Sequence, residues 1–419
     1  MNEREDHMKT TKKILSGILA LSLSISSPFI VHAKSAAREN VKTDSVQDRC
    51  LRDYEDLLLS FYSEKEIDYP DEYDGIYFNS ATGVTTVCLT DLNDSKEYKK
   101  FFDESTVEFK EVDYSLDELN ETYQFISDVM AEKNITTVAV SEKTNDLIVS
   151  VETDEDKPVL IQYLQSNGYN PDMVRFDENS EPVEIEHDSI NNTFDNANNS
   201  RSSSVNYAYT GSKLYGGFSN NTTYSLIGTV GANAYNPSTG QYGIVTAASA
   251  AETSNISSFC NSSSVIMNNN SAVTSVYSGN CNAAFIPFSS ANSFEATTTI
   301  KNGNITTCLY DTQPIVSPYM VGIDIVKYGG NTGRKTGTIT NLSSSVRYGG
   351  KTLKDLIEYS MDMDDNDKGA PIGIEYTNGN GLHFMGIHSH GNGNDKCYAT
   401  KYKNIEENLG VVILSERFS

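Results

Sequence analysis

Apolar positions in the first part of the chain recur with two periods, and the alternation between them predicts its elements. In residues 74–91, DGIYFNSATGVTTVCLTD, Ile76 and Phe78, then Val84, Val87 and Leu89, flank a turn over 80–83, which predicts a β-hairpin. In residues 115–133, SLDELNETYQFISDVMAEK, Ser115 is followed three residues later by Glu118, the pattern of a capping box. Leu116, Leu119, Tyr123, Ile126 and Met130 then fall at helical spacing. NDLIVSVE, residues 145–152, reads as a strand, and DKPVLIQYLQSNGY, residues 156–169, as a helix stopped by Gly168. Hairpin, helix, strand and helix make a small α/β (α+β) domain over residues 34–184. Residues 185–206 are rich in Asn and Ser without a periodic apolar pattern and read as an exposed, cleavable linker. From Tyr207 to the end, short Val, Ile, Tyr and Thr runs are broken roughly every eight to twelve residues by Gly, Asn and Ser, which predicts an all-β barrel or sandwich over 207–419.

Composition sharpens this two-domain division. With 419 residues, 38% of them hydrophobic, the chain has material for two folded units and real cores. Its net charge of −25 is unevenly placed: residues 206–419 hold 13 Lys and Arg against 15 Asp and Glu, so −23 belongs to the first 205. Such an acidic half repels a phosphate backbone, which argues against nucleic acid as partner and leaves a solvated, solubilising face. The start reads as an export signal over residues 1–33. Lys9, Lys12 and Lys13 precede an apolar run from Ile14 to about Leu23, and Val31, His32 and Ala33 supply a cleavage site. The acidic residues before Met8 are out of place in a leader and point to Met8 as the start. No later stretch reaches the roughly 18 apolar residues of a membrane span, so the chain is expected to be secreted and extracellular. The six cysteines, two in the front half and four in the back, allow pairing within each half, but no C-x-x-C indicates zinc or redox chemistry.

Three stretches of the back half resemble, in order, the chymotrypsin/trypsin-like serine proteases. GIVTAASAA, residues 243–251, is similar to the T-A-G-H-C segment, with Ser249 at the histidine. SGNCNAAFIPF, residues 278–288, is similar to the aspartate strand, with Asn282 at the carboxylate, or Cys281 if the register shifts by one. DDNDKGAPIGIEYTNGNGLHFMGIHSHG, residues 364–391, is similar to the G-D-S-G-G-P turn and the hairpin after it, with Lys368 at the serine. VKYGGNTGRKTGTI, residues 326–339, and GSKLYGG, residues 211–217, extend the likeness to the streptogrisin and α-lytic protease branch. The front half, through YFNSATGVTTVCLTD and ITTVAVSEKTNDLIVSVE, resembles that branch's pro-region. The resemblance implies a pro-region-like domain followed by a trypsin-like double β-barrel, with Asp367 in a buried ion pair that shapes the turn.

The departures from the pattern decide the expected chemistry. Acyl transfer on this fold needs a hydroxyl, an imidazole to take its proton and a carboxylate to orient the imidazole. Ser249, Asn282 and Lys368 leave all three roles empty, and none of the six histidines lies in sequence near Thr246. No catalytic residue, cofactor or metal is therefore expected. The weighed alternative is a Ser249/Lys368 dyad, but the oxyanion N–H groups of such a turn would surround the amine and not the hydroxyl. His383, His388 and His390 lie on one strand, the last two expected on the same face; they are candidate metal ligands, although edge-strand histidines are more often surface residues. Asp362, Asp364, Asp365 and Asp367 alternate as in a calcium loop, yet lack the Gly and the closing Glu, and read as a solvated loop.

A protease-like scaffold with its chemistry replaced is expected to be a binding protein, a pseudoprotease. Loops rich in Asn, Ser and Tyr suit contacts with an extracellular protein. An immunoglobulin is the first expectation, a host protease or its inhibitor the next, and a hydrolase using Ser249 and Lys368 the rival.

Overall fold

The computed structural model describes residues 45–63, 66–177, 193–195, 206–218, 223–252, 256–261, 265–267, 273–289, 294–303, 305–310, 319–361, 367–375, 381–391 and 396–416. The export signal expected over 1–33, Asp362, Asp364 and Asp365 of the acidic run, and most of the linker expected over 185–206 lie outside the described residues. Within that linker, Thr193–Asp195 pairs antiparallel with residues 223–225 as an added edge strand. Among the described residues no helix is long and apolar enough to cross a membrane, and no disulfide joins any of the six cysteines.

The front part opens with helix α1, Val46–Phe61, whose stripe of Cys50, Leu51, Tyr54, Leu57 and Leu58 is buried. Strands β1 (Tyr73–Asn79) and β2 (Val84–Leu89) form the expected hairpin, Asn79 opposite Val84, with Gly83 at φ +70 where a Cβ would strain the turn. Strand β3 (Val107–Glu111) lies parallel to β2. Helix α2 (Leu116–Val129) carries the expected capping box: Ser115 and Glu118 satisfy each other's backbone N–H. Strands β4 (Ile135–Ser141), β5 (Asp146–Val151) and β6 (Val174–Phe176), with helix α3 (Asp156–Ser166) between the last two, close a core built from Leu119, Tyr123, Ile126, Val138, Leu147 and Leu160.

The back part is mostly β. Its first half sets two antiparallel sheets over one core. One contains β7 (Lys213–Phe218) and β8 (Thr223–Thr229); the other contains β9 (Ala232–Asn236) and β10 (Gln241–Thr246). Short helix α4 (Ala248–Ala251) follows; β11 (Ile256–Cys260) joins the first sheet, and β12 (Thr274–Ser278) and β13 (Cys281–Pro287) the second. Leu214, Ile227, Ile244, Phe259, Ala284 and Ile286 fill the space between them.

The second half closes on itself. Strands β14 (Asp324–Gly329), β15 (Gly333–Tyr348), β16 (Lys351–Ser360), β17 (Pro371–Glu375), β18 (Leu382–Gly391) and β19 (Lys396–Lys401) pair in the ring order 14-15-16-19-18-17 and back to 14. Ring closure leaves none of the six with an unpaired edge along its whole length, which is what makes it a barrel. Its interior residues Ile325, Ile339, Ile357, Tyr359, Ile372, Met385 and Ala399 share one cluster with Leu51, Leu57, Leu58, Tyr73, Ile76 and Phe78 of the front part. Helix α5 (Tyr402–Leu409) packs Tyr402, Ile405 and Leu409 against residues of both halves.

The long hairpin β15–β16 joins front to back. Tyr348 pairs with Lys351 around Gly349 and Gly350, at φ +54 and +77, the two positive angles that a two-residue hairpin loop of the favoured twist requires. Behind that tip, residues 344–346 pair antiparallel with residues 137–139 of β4, so the barrel's sheet runs on through β5 and β6. The buried Ser345 hydroxyl meets Tyr123 Oη at 2.7 Å and Ser127 Oγ at 3.0 Å across this seam.

Candidate functional site

The region singled out by sequence lies where β10, β13 and the turn before β17 meet. At the end of β10, Thr246 Oγ1 donates to the carbonyl of Thr229 at 2.8 Å, and α4 then presents Ser249, half-buried. Asn282, fully buried on β13, faces it. The Ser249 backbone N–H can only donate, so the Asn282 atom 3.0 Å from it is Oδ1, which fixes the amide's orientation. Nδ2 then donates to Ser249 Oγ at 3.3 Å and to Ser389 Oγ at 2.6 Å. Ser389 Oγ also lies 2.8 Å from His390 Nδ1, with the donor between them set by the imidazole tautomer.

Lys368 sits on the turn opposite and is buried. Its carbonyl accepts the Thr229 N–H at 2.8 Å, so the turn is tied to the same strand end as Thr246. Gly369, at φ +86, approaches so closely that a Cβ there would stand 2.2 Å from Thr246 Oγ1 and 2.7 Å from the Ala247 nitrogen. The turn is anchored from beneath by Asp367, whose Oδ2 lies 3.1 Å from Lys327 Nζ, both side chains fully buried. Lys327 Nζ is at ion-pair distance but off the hydrogen-bonding angle, while Asp367 accepts from the N–H groups of Asn331 at 3.0 Å and Thr332 at 3.3 Å and from the Thr332 hydroxyl.

The structure therefore puts Ser249 and Asn282 in direct contact and packs the Lys368 turn against the strand that leads to them. Among the described residues, the partner of the Ser249 hydroxyl is an amide that donates to it, the opposite of what a base does for a nucleophile. Ser389 and His390 are the residues of this network that spacing arguments missed. Their signal was the HSH run of β18, which is not near Ser249 in sequence. Ser389 is fully buried, and burial, with the charge of Lys368 adding to it, pushes the His390 imidazole down to about 3.

Two expectations about the histidines are corrected. His388 and His390 are buried, not surface residues, because β18 is paired on both sides within the closed ring. A bulge between them, His388 opposite Ala399 and His390 opposite Tyr398, ends the simple alternation of faces. His388 Nδ1 bonds Tyr359 Oη at 2.6 Å, whereas His390 stacks between Tyr348 and Tyr398. Burial first, then the charge of Lys327, holds His388 well below its usual range. Among the described residues no group of three or more His, Cys, Asp or Glu is arranged to hold a metal ion.

No family model and no curated protein matches this chain. Solved structures do. Thermobifida fusca Protease A is 19% identical, with half of this chain covering all of it at a TM-score of 0.39. Nocardiopsis Protease is 21% identical, with the same coverage and a TM-score of 0.39. The chymotrypsin of Cellulomonas bogoriensis is 18% identical over half of this chain and all of its own, at a TM-score of 0.37.

Proposed function

We propose that this chain is a secreted, catalytically silent protein on a trypsin-like double-barrel scaffold, preceded by a pro-region-like domain, and that it acts by binding an extracellular protein. The observation that carries the reading is the amide of Asn282 donating to Ser249 Oγ, with a buried lysine at the position of the nucleophile. Among the described residues no base accepts from the Ser249 hydroxyl, so we read it as idle in acyl transfer. Without self-cleavage the front domain stays attached. Its sheet, continuous with the barrel through β4 and β15, favours the two acting as one surface. Immunoglobulin is the first partner to test, with secreted proteases and their inhibitors next.

The test is capture from serum and mucosal secretions on the immobilised full chain, with a peptide-library cleavage assay on the same sample. One stoichiometric partner and no cleavage is the expected result, unchanged in Lys368→Ala. Cleavage that disappears in Lys368→Ala or Ser249→Ala would sink the reading and establish the dyad.

A further inference from the structure

Outside the site above, the front part meets the barrel around a cavity of about 340 Å³. Four tyrosines line it: Tyr54 of α1, Tyr69, Tyr319 and Tyr402 at the start of α5. Glu142, just past β4, lines it too and is 8% exposed. Its Oε2 accepts the Ile76 N–H at 3.0 Å, and among the described residues its Oε1 accepts no hydrogen bond. The hairpin crowds it, since a Cβ on Gly75 would stand 2.7 Å from Oε2. Burial outweighs the charge of Lys401, which acts on this carboxyl without ion-pairing to it.

We propose that this cavity binds a small organic cation, an alkylated ammonium group, with Glu142 as its counter-ion and the tyrosine rings as its walls. Tyrosines around one carboxyl are the chemistry that recognises such a cation, because the ring faces carry negative charge and the alkyl groups need an apolar wall. The other charged groups at the cavity are accounted for. Lys401 is ion-paired to Asp355, whose second oxygen takes the Asn404 amide at 3.0 Å, and Lys403 is exposed. Asp74 and Asp117 add negative potential, Asp74 acting on Glu142 and Asp117 on Tyr69. An anion would meet Glu142 and these carboxylates, and a neutral ligand would leave Glu142 as it is.

Burial pushes the Glu142 carboxyl up to about 8, so at pH 7 it holds a proton that a bound cation must displace. Calorimetry on the full chain with choline, and with its neutral isostere 3,3-dimethylbutan-1-ol, reads both consequences. Choline is expected to bind at least about tenfold more tightly than the isostere. It should release up to one proton at pH 7, seen as a dependence of the heat on buffer ionisation, and its affinity should rise from pH 6 to pH 9. Glu142→Gln keeps an acceptor for Ile76 and should reduce the preference and abolish the proton release. Tyr69→Leu, on a half-buried ring, should weaken choline several-fold even if the first variant proves unstable. Equal binding of the two ligands, no saturable choline heat, or choline binding without proton release would overturn the proposal.

Discussion

Two buried acidic sites in this molecule solve the same problem in opposite ways. Asp367, beneath the turn that carries Lys368, is given a complete set of partners: Lys327 and three donors from residues 331 and 332. Asp74 on β1 and Glu142 beyond β4 are given almost none. Both Asp74 oxygens lack a well-formed hydrogen bond, and burial pushes that carboxyl up to about 7, Asn145 and Lys110 offsetting only part of it. The barrel turn thus has its carboxyl fully partnered, as a structural pin. The front part holds carboxyls that are neutral in acid and strained in base, so its stability is tied to pH and to whatever cation it meets.

The largest effect that would sharpen this contrast is on pH dependence. A carboxyl whose pKa is raised on folding contributes no penalty below its unfolded value. Its cost grows as pH rises from there and is complete above the folded value. For Asp74 the span is from 3.8 to about 7, and for Glu142 from 4.5 to about 8, or ~4 kcal/mol per group at the limit. His388 and His390 work the other way: neutral when folded, they remove stability as pH falls below 6.5. Urea unfolding should therefore show stability falling by several kcal/mol between pH 6.5 and pH 9. Asp74→Asn and Glu142→Gln should each flatten that slope, and a slope unchanged in both would break the comparison.

At Asp367 the expected loss is next in size. Lys327→Met leaves a carboxylate in a dry site with neutral donors only, which typically costs about 3–5 kcal/mol. Lys327→Met with Asp367→Asn removes the orphaned charge and should recover more than half of that in chemical denaturation. If the single and double variants were equally unstable, the pair would not be acting as an ion pair. The double variant at pH 6.5 and 9 should share the parent's pH slope, since no carboxylate remains at that site.

What the sequence disclosed and withheld follows the range of the interactions. The β1–β2 hairpin and α2 were legible because their signals are local: alternation about a turn ending in Gly83, and Ser115 three residues before Glu118. The meeting of Ser249 and Asn282 came from order along the chain within a resemblance, and the contact itself is a matter of 33 residues of separation that no period encodes. Lys327 as partner of Asp367 was invisible, because one lysine in a strand looks like any other until the barrel closes around it. The histidines were misjudged for the same reason. An HSH run reads as an exposed edge unless the strands on both sides are known, and a bulge cannot be seen without its partner strand.

The smallest effect is at Ser249, and its smallness is the point. If Ser249 were a nucleophile, Ser249→Ala would abolish any activity while leaving the fold alone. If it only fills a place, the loss is one hydrogen bond at a half-buried position, below about 1 kcal/mol. Asn282 keeps the Ser249 N–H through Oδ1 and keeps Ser389 through Nδ2, so the amide stays oriented without the hydroxyl. Ser249→Ala should thus unfold within about 1 kcal/mol of the parent in urea and retain its captured partner. Asn282→Ala, by contrast, strips donors and acceptor from a buried network and should cost more than Ser249→Ala in the same titration. An order reversed between these two variants would mean that Ser249, not Asn282, organises the site, and the case for a vacant centre would fail with it.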